Sequence, residues 1–371
     1  MLEEDRRRRS LRGNPSVVPS QIRPFQSEDI PAVAEIHREV FSLAKSMSPT
    51  MLDRYRTYFE EVFLKPAAEC QDLGSLVCEE DGQIVGFIGS APRRMTMNGR
   101  PVMGRVSTQF VVHPRSRGIA GMKLLKTFLA GRQDFSIADE SNSMARALWM
   151  SMGAATCALP SIIWNYPLRP VSFGLYALAR FRPGLRFTRF VAFAARALDG
   201  VIKRSRGNGS HPRPLDREAL GACLSRMVDR PLRPCYDSQS LACVLKRAAR
   251  LRTRSALQTA AVESDKGLTL GWYVFSISPE GICQVLQFHA RKGSVECVFE
   301  QLLGHAAQTG AVAVTGRLDH GLMEAASAFR CLMHAGPWVL VHSRNPELVS
   351  AFERGDAFFS RLEGEWCLRF Q

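Results

Sequence analysis

The stretch from Val106 to Leu129 constrains the fold of this chain more than any other. Val106–Val112 is rich in β-branched and aromatic residues and stops at Pro114, whereas Met122, Leu125, Phe128 and Leu129 recur at helical spacing. The hydrophobic period therefore changes from strand to helix across a short turn that holds Arg115, Arg117, Gly118, Ala120 and Gly121. The first turn of such a helix carries backbone N–H groups with no internal partner and the positive end of the helix dipole, which suits an anion such as phosphate. Arg115, Arg117 and Lys123 add positive charge there, and the small residues allow close approach to the backbone. A turn of this composition also serves a purely structural role in many folds.

Two motifs resolve that ambiguity by resemblance. Val112-His113-Pro114-Arg115-Ser116-Arg117-Gly118-Ile119-Ala120-Gly121 resembles the acyl-CoA loop of the GNAT superfamily of N-acyltransferases, Val-x-Pro-x-x-Arg-Gly-x-Gly-x-Gly/Ala. An ungapped alignment from Pro114 puts Arg117, Ala120 and Met122 on the motif's arginine, central glycine and last small residue. A register two residues earlier uses Arg115, Gly118 and Ala120 instead but displaces the proline and the helix leucines. Further on, Asn142, Ala145, Leu148, Trp149 and Gly153 resemble the family's Asn-x-x-Ala-x-x-Leu-Tyr-x-x-x-Gly. The family's thiolate-protonating tyrosine is Trp149 here, and an indole N–H is no practical general acid.

The resemblance implies an acyl-CoA co-substrate, acetyl-CoA first among the candidates, held by Phe110, Val111, Val112, Arg115, Arg117, Gly118, Ile119, Ala120, Gly121, Met122 and Asn142. An amine or hydroxyl of an unidentified acceptor, a sugar or lipid-linked molecule being one option, then attacks the thioester directly. Thr108 and Gln109 on the central strand can only order a water. Asp139 and Glu140, at the end of the next strand, are the first candidates for a general base, followed by His289 and Asp319. Capping or surface roles compete for all four.

At 371 residues the chain has room for two domains. An acidic turn followed by Gly-aromatic in an apolar strand occurs twice, at Val77–Ile88 and at Val262–Phe275, and comparable elements follow each copy. The expected architecture is α/β, with two GNAT-like mixed-sheet domains in tandem joined by a basic helical insert. Its expected parts are a disordered basic tail (1–20), an acyl-CoA-binding domain (21–165), the insert and linker (166–214) and a degenerate second copy (215–371). The second copy is expected to bind no CoA, because Ala290-Arg-Lys-Gly-Ser-Val makes a poor phosphate loop, and to end in a hairpin of Trp338–Ser343 with Trp366–Phe370.

Residues 161–260 hold 19 Lys/Arg against 5 Asp/Glu, the whole of the net +14 charge. Within them, residues 162–206 interleave aromatics with arginines, a composition that suits helices with snorkelling arginines, peripheral contact with an anionic membrane, or nucleic acid. No RNA motif supports the last. A nonenzymatic membrane adaptor with a vestigial CoA loop is the rival to the enzyme reading. Ten cysteines without a Cys-x-x-Cys pair, and histidines without ligand spacing, point to reduced thiols and no metal. With no apolar leader and no spanning run, the expected location is cytoplasmic.

Overall fold

The computed structural model describes residues 20–41, 45–64, 72–116, 118–181, 198–199, 212–250 and 256–370. Most of the arginine-aromatic stretch after Phe181, the expected N-terminal tail and Arg117 lie outside the described residues. Among the described residues fifteen strands follow one another: β1 (Gln21–Pro24), β2 (Leu76–Glu80), β3 (Gln83–Met97), β4 (Arg100–Val112), β5 (Phe135–Ser141), β6 (Ala155–Cys157), β7 (Ile162–Pro167), β8 (Arg213–Pro214), β9 (Leu232–Pro234), β10 (Gln258–Glu263), β11 (Thr269–Ile277), β12 (Ile282–Ala290), β13 (Ala313–Arg317), β14 (Leu332–Ala335) and β15 (Trp338–Ser343). The helices that matter for function are α1 (Ile30–Val40), α2 (Pro49–Phe63), α3 (Ile119–Leu129), α4 (Ser143–Ser151) and α5 (Pro170–Phe181), then α6 (Arg217–Arg226), α7 (Ser238–Ala249), α8 (Val295–Gln308), α9 (Met323–Ala328) and α10 (Pro346–Arg354).

The strands form two mixed sheets. The first runs β1-β2-β3-β4-β5-β15-β6, with β9 on the far half of β3; the second runs β14-β7-β13-β12-β11-β10-β8. Reversed, the second order matches the first position by position. Each sheet has one parallel pair, β4 with β5 and β12 with β13. Beyond that pair each accepts an inserted antiparallel strand, β15 between β5 and β6 and β7 between β13 and β14. The two inserted strands are exchanged, since β15 comes from the end of the chain and β7 from its first half. Both have the near-continuous apolar composition of a strand flanked by neighbours: Val339, Leu340 and Val341 are buried, as are Ile163, Trp164 and Tyr166.

Two expectations are corrected by this topology. Trp338–Ser343 does not pair with the C-terminal segment, where Glu365–Leu368 forms a 3-10 turn. The boundary at residue 165 cuts through β7, which belongs to the second sheet, and the stretch expected to be helical begins as that strand before α5 starts at Pro170. Strand β3 runs unbroken from Gln83 to Met97. The two sheets themselves, and the repeat they embody, are as the sequence echo implies.

By contacts the chain divides into two compact units, one running to Ser90 plus Gln109–Gly131 and the other Ala91–Thr108 plus Arg132–Gln371. The first is built on an aromatic cluster. Tyr55, Phe59 and Phe63 of α2 are buried, and Phe59 lies 5.6 Å from Phe25 and 5.4 Å from Phe87 between ring centroids. Apolar burial accounts for that helix's aromatic stripe. In the second unit one core packs α8 and α9 against β7, β11, β12 and β13, through Trp164, Phe275, Phe299 and Leu302 among others. A second core packs α6 and α7 over Trp272, Val274 and Leu286.

Gly104 faces Phe135 across the parallel pair, and a Cβ there would meet the Phe135 ring at 2.9 Å or less. Gly104→Val is expected to lower unfolding stability by about 1–3 kcal/mol, the usual range for overpacking, read as a reduced urea midpoint with an unchanged slope. A midpoint equal to that of the unsubstituted chain would show that the ring can move aside.

Candidate active site

The cofactor turn begins where β4 ends. His113 donates its N–H to Val85 O at 2.8 Å, and a short 3-10 turn over Pro114–Ser116 follows. Gly118 then caps α3 at φ +103°, a conformation that strains any residue with a side chain. Met122 gives its N–H to Gly118 O at 2.9 Å, so the orphan donors of this helix are those of Ile119, Ala120 and Gly121. Met122 therefore offers no backbone donor, and its side chain is exposed like that of Ile119. Ala120 and Gly121 are buried, with Gly121 facing Val112 and Phe110. Lys123 reaches Ser20 at 2.6 Å. Val111 is buried, while Phe110 and Val112 are half-buried.

Gly86 and Gly271 are the corresponding glycines of the acidic-turn echo. A Cβ on Gly86 would touch Val111 O, Val112 and Leu124, and one on Gly271 would meet His289 O, Ala290 and Val298. Gly271 lets β11 pass beneath the end of β12 and the start of α8, whereas a Cβ at Gly86 would make only ordinary contacts.

Asn142 is the N-cap of α4, its side chain accepting the Ala145 N–H at 2.9 Å. Trp149 is fully buried, so the position that resembles the family's tyrosine is a core position. On β4, Thr108 is buried with no hydrogen-bond partner for its hydroxyl among the described residues.

Asp139 and Glu140 sit in a dense ionic cluster. Arg317, the last residue of β13, ion-pairs with both, with 2.8 Å to Glu140, and Arg369 also pairs with Glu140. Glu365 interlocks with the same backbone: its carboxylate accepts the N–H groups of Asp139 (2.8 Å) and Glu140 (3.0 Å), while its own N–H donates to Asp139 at 2.7 Å. Gly364 is required here, because a Cβ would collide with the Asp139 carboxylate. The arginines hold Asp139 and Glu140 as ion-pair partners. Among the described residues no cation pairs with Glu365, and burial followed by repulsion from Asp139 and Glu140 pushes its carboxyl up to about 8.

The remaining candidates are similarly engaged. His289 donates from Nε2 to Met227 O at 3.1 Å and stacks on Trp272 at 4.5 Å, and burial lowers its pKa to about 4. Asp319 accepts the Leu322 N–H in a tight turn, and burial raises its carboxyl. Among the described residues no group of three His, Cys, Asp or Glu could hold a metal ion, and no helix is long and apolar enough to cross a membrane.

Residues 21–134 match the acetyltransferase (GNAT) domain model. That stretch of the chain carries a GNAT-type acetyltransferase domain. A GCN5-related N-acetyltransferase from Anabaena variabilis is similar in fold at TM-score 0.57 and 11% identity, over 88% of this chain and 74% of that one. A probable N-acyltransferase from Enterococcus faecalis aligns at TM-score 0.51 and 10% identity, over 88% and 72%. N-myristoyltransferase from Saccharomyces cerevisiae, solved with bound myristoyl-CoA, aligns at TM-score 0.50 and 11% identity, over 94% and 85%. No curated protein matches by sequence. These identities establish a shared fold, and the strand order described above is its internal counterpart.

Two features of the site escape sequence reading. One is the C-terminal segment around Glu365, where the only signal is three charged residues, Arg361, Glu363 and Glu365, inside an otherwise apolar stretch. The other is the contact of His37 with Gln109, signalled by a histidine on the apolar face of α1.

A raised carboxyl binds its proton more tightly in the folded chain than in the unfolded one. Glu365 therefore contributes stability that is complete below its unfolded pKa of about 4.3 and is lost as pH climbs through about 8. Thermal midpoints of the unsubstituted protein should fall between pH 5 and 8.5, and Glu365→Gln should flatten that slope. Parallel slopes for the two proteins would contradict this protonation.

Proposed function

We propose that the protein transfers an acyl group from acyl-CoA, acetyl-CoA first among the candidates, to an amine or hydroxyl through one live cofactor site on the first sheet. Gly118 carries this reading: at positive φ it opens α3 directly behind β4, leaving three first-turn N–H groups beside Arg115 and Lys123. That is a donor set for a pyrophosphate. The residues that would hold the cofactor are Phe110, Val111 and Val112 along the strand, and Arg115, Arg117, Gly118, Ile119, Ala120 and Gly121 in the turn.

The second copy supports a single site by contrast. The corresponding turn, before α8, borders a cavity of about 440 Å³ lined by Asp229, Asp319, Glu324 and Asp356 as well as Arg230 and Lys292. Its carboxylates outnumber its cations, so it repels the phosphates that the first turn attracts.

In the reaction, the acceptor's nitrogen or oxygen attacks the thioester carbon, the C–S bond breaks to release the thiolate, and the acceptor's proton passes to solvent. Positioning of the two reactants supplies much of the acceleration. Because Trp149 cannot deliver a proton, the thiolate is protonated from solvent in this reading. Asp139 and Glu140 act as anchors for Arg317 rather than as bases, which Asp139→Asn tests by destabilising the fold without selectively lowering turnover.

Calorimetric titration with acetyl-CoA should give one equivalent bound. Arg117→Glu places like charge beside the pyrophosphate and should weaken binding by about tenfold or more, equivalent to about 1.4 kcal/mol. Two equivalents would revive the second copy, and unaltered affinity in the variant would favour the register that uses Arg115.

A further inference from the structure

Along β4 the side chains from Gly104 to Thr108 are buried, and then Gln109 and Phe110 are both half-exposed. Gln109 is at φ +49°, inside a strand and without being glycine. Such a conformation is unfavourable and persists only where its surroundings enforce it. A bulge of this kind re-aims a side chain.

What enforces it is a buried polar chain. On the apolar face of α1, beside Val33, Ala34 and Ile36, His37 is only 3% exposed. Its Nδ1 lies 2.8 Å from the hydroxyl of Tyr55, a fully buried residue of α2, and its Nε2 meets Gln109 Oε1. A carboxamide oxygen can only accept, so Nε2 carries the proton, and Nδ1 accepts from the tyrosine. Burial holds the imidazole toward its neutral form, which is the form this arrangement needs. With Oε1 fixed by His37, the carboxamide NH₂ of Gln109 is turned away from the imidazole. It sits one residue before Phe110–Val112, the strand segment assigned above to the acyl-CoA.

We propose that Gln109 donates a hydrogen bond from this NH₂ to the reacting acyl carbonyl, and that His37 and Tyr55 are positioning residues that fix its orientation. The inference rests on the acyltransferase reading. Gln109 transfers no proton; it stabilises charge that builds on the carbonyl oxygen while the acceptor attacks and the C–S bond breaks. A bulge kept only for strand shape would need neither a carboxamide nor the chain behind it.

The test uses the full-length protein, acetyl-CoA, and hydroxylamine as a small surrogate acceptor, with free thiol as the readout and acetyl-CoA affinity measured separately by calorimetry. Gln109→Met should lower kcat by about 10²–10³-fold, the cost of removing one such donor, while leaving acetyl-CoA affinity within about twofold. His37→Gln, which keeps a donor for Gln109 Oε1, should retain more activity than His37→Phe at equal acetyl-CoA affinity. Unchanged kcat in Gln109→Met, or a loss confined to acetyl-CoA affinity, would overturn the assignment while leaving the acyltransferase reading intact. An unsubstituted protein that binds no acetyl-CoA would overturn that reading and this inference together.

Discussion

Arg317 is the interaction on which the larger unit depends. It ends β13 in the second sheet and ion-pairs with Asp139 and Glu140 at the end of β5 in the first. Asp139 is wholly buried, and a buried carboxylate stripped of its partner is among the costliest defects a fold can carry, on the order of 3–5 kcal/mol. The C-terminal segment completes the cluster through Glu365 and Arg369. Glu363, two residues earlier, accepts from Tyr236 and Gln287, each at 2.9 Å, and its carbonyl accepts from the buried Arg93 at 2.8 Å. Charges from four distant parts of the sequence thus specify one arrangement of the final residues.

That arrangement explains why the repeat is not two beads on a string. A parallel pair such as β4 with β5 needs a neighbour on its outer side, and each sheet takes that neighbour from the other half of the chain. Exchange of β7 and β15 places their apolar runs inside a sheet with a strand on either side, where Trp164 and Val341 lose essentially all contact with solvent. Neither sheet has its full set of strands without the other half.

Much of the architecture was legible in the sequence because it is local. The hairpin at Asp81-Gly82 and the strand-to-helix switch at Val112–Gly118 are each written in a few adjacent residues, and the structure forms both. The exchange of β7 and β15 was not legible, since an apolar strand carries no label for which sheet will receive it. Ile162–Pro167 was masked by the arginine-rich residues after it, and Glu365–Leu368 has a strand-like composition but is pinned as a 3-10 turn by Asp139. At the site, the turn's glycine and arginines announced an anion. Gln109 looked inert by residue type, and only its contact with a histidine 72 positions earlier gives it a distinctive chemistry.

Native-state hydrogen exchange on the central strands of the larger unit tests the interdependence of the two sheets most directly. If exchanged strands hold each sheet together, amides of Ile137 in β5, Val341 in β15, Tyr166 in β7 and Val314 in β13 should all open with the same free energy, that of global unfolding. Opening of β15 several kcal/mol below β5, with β7 and β13 still protected, would show instead that the inserted strand is an accessory to a sheet that stands without it.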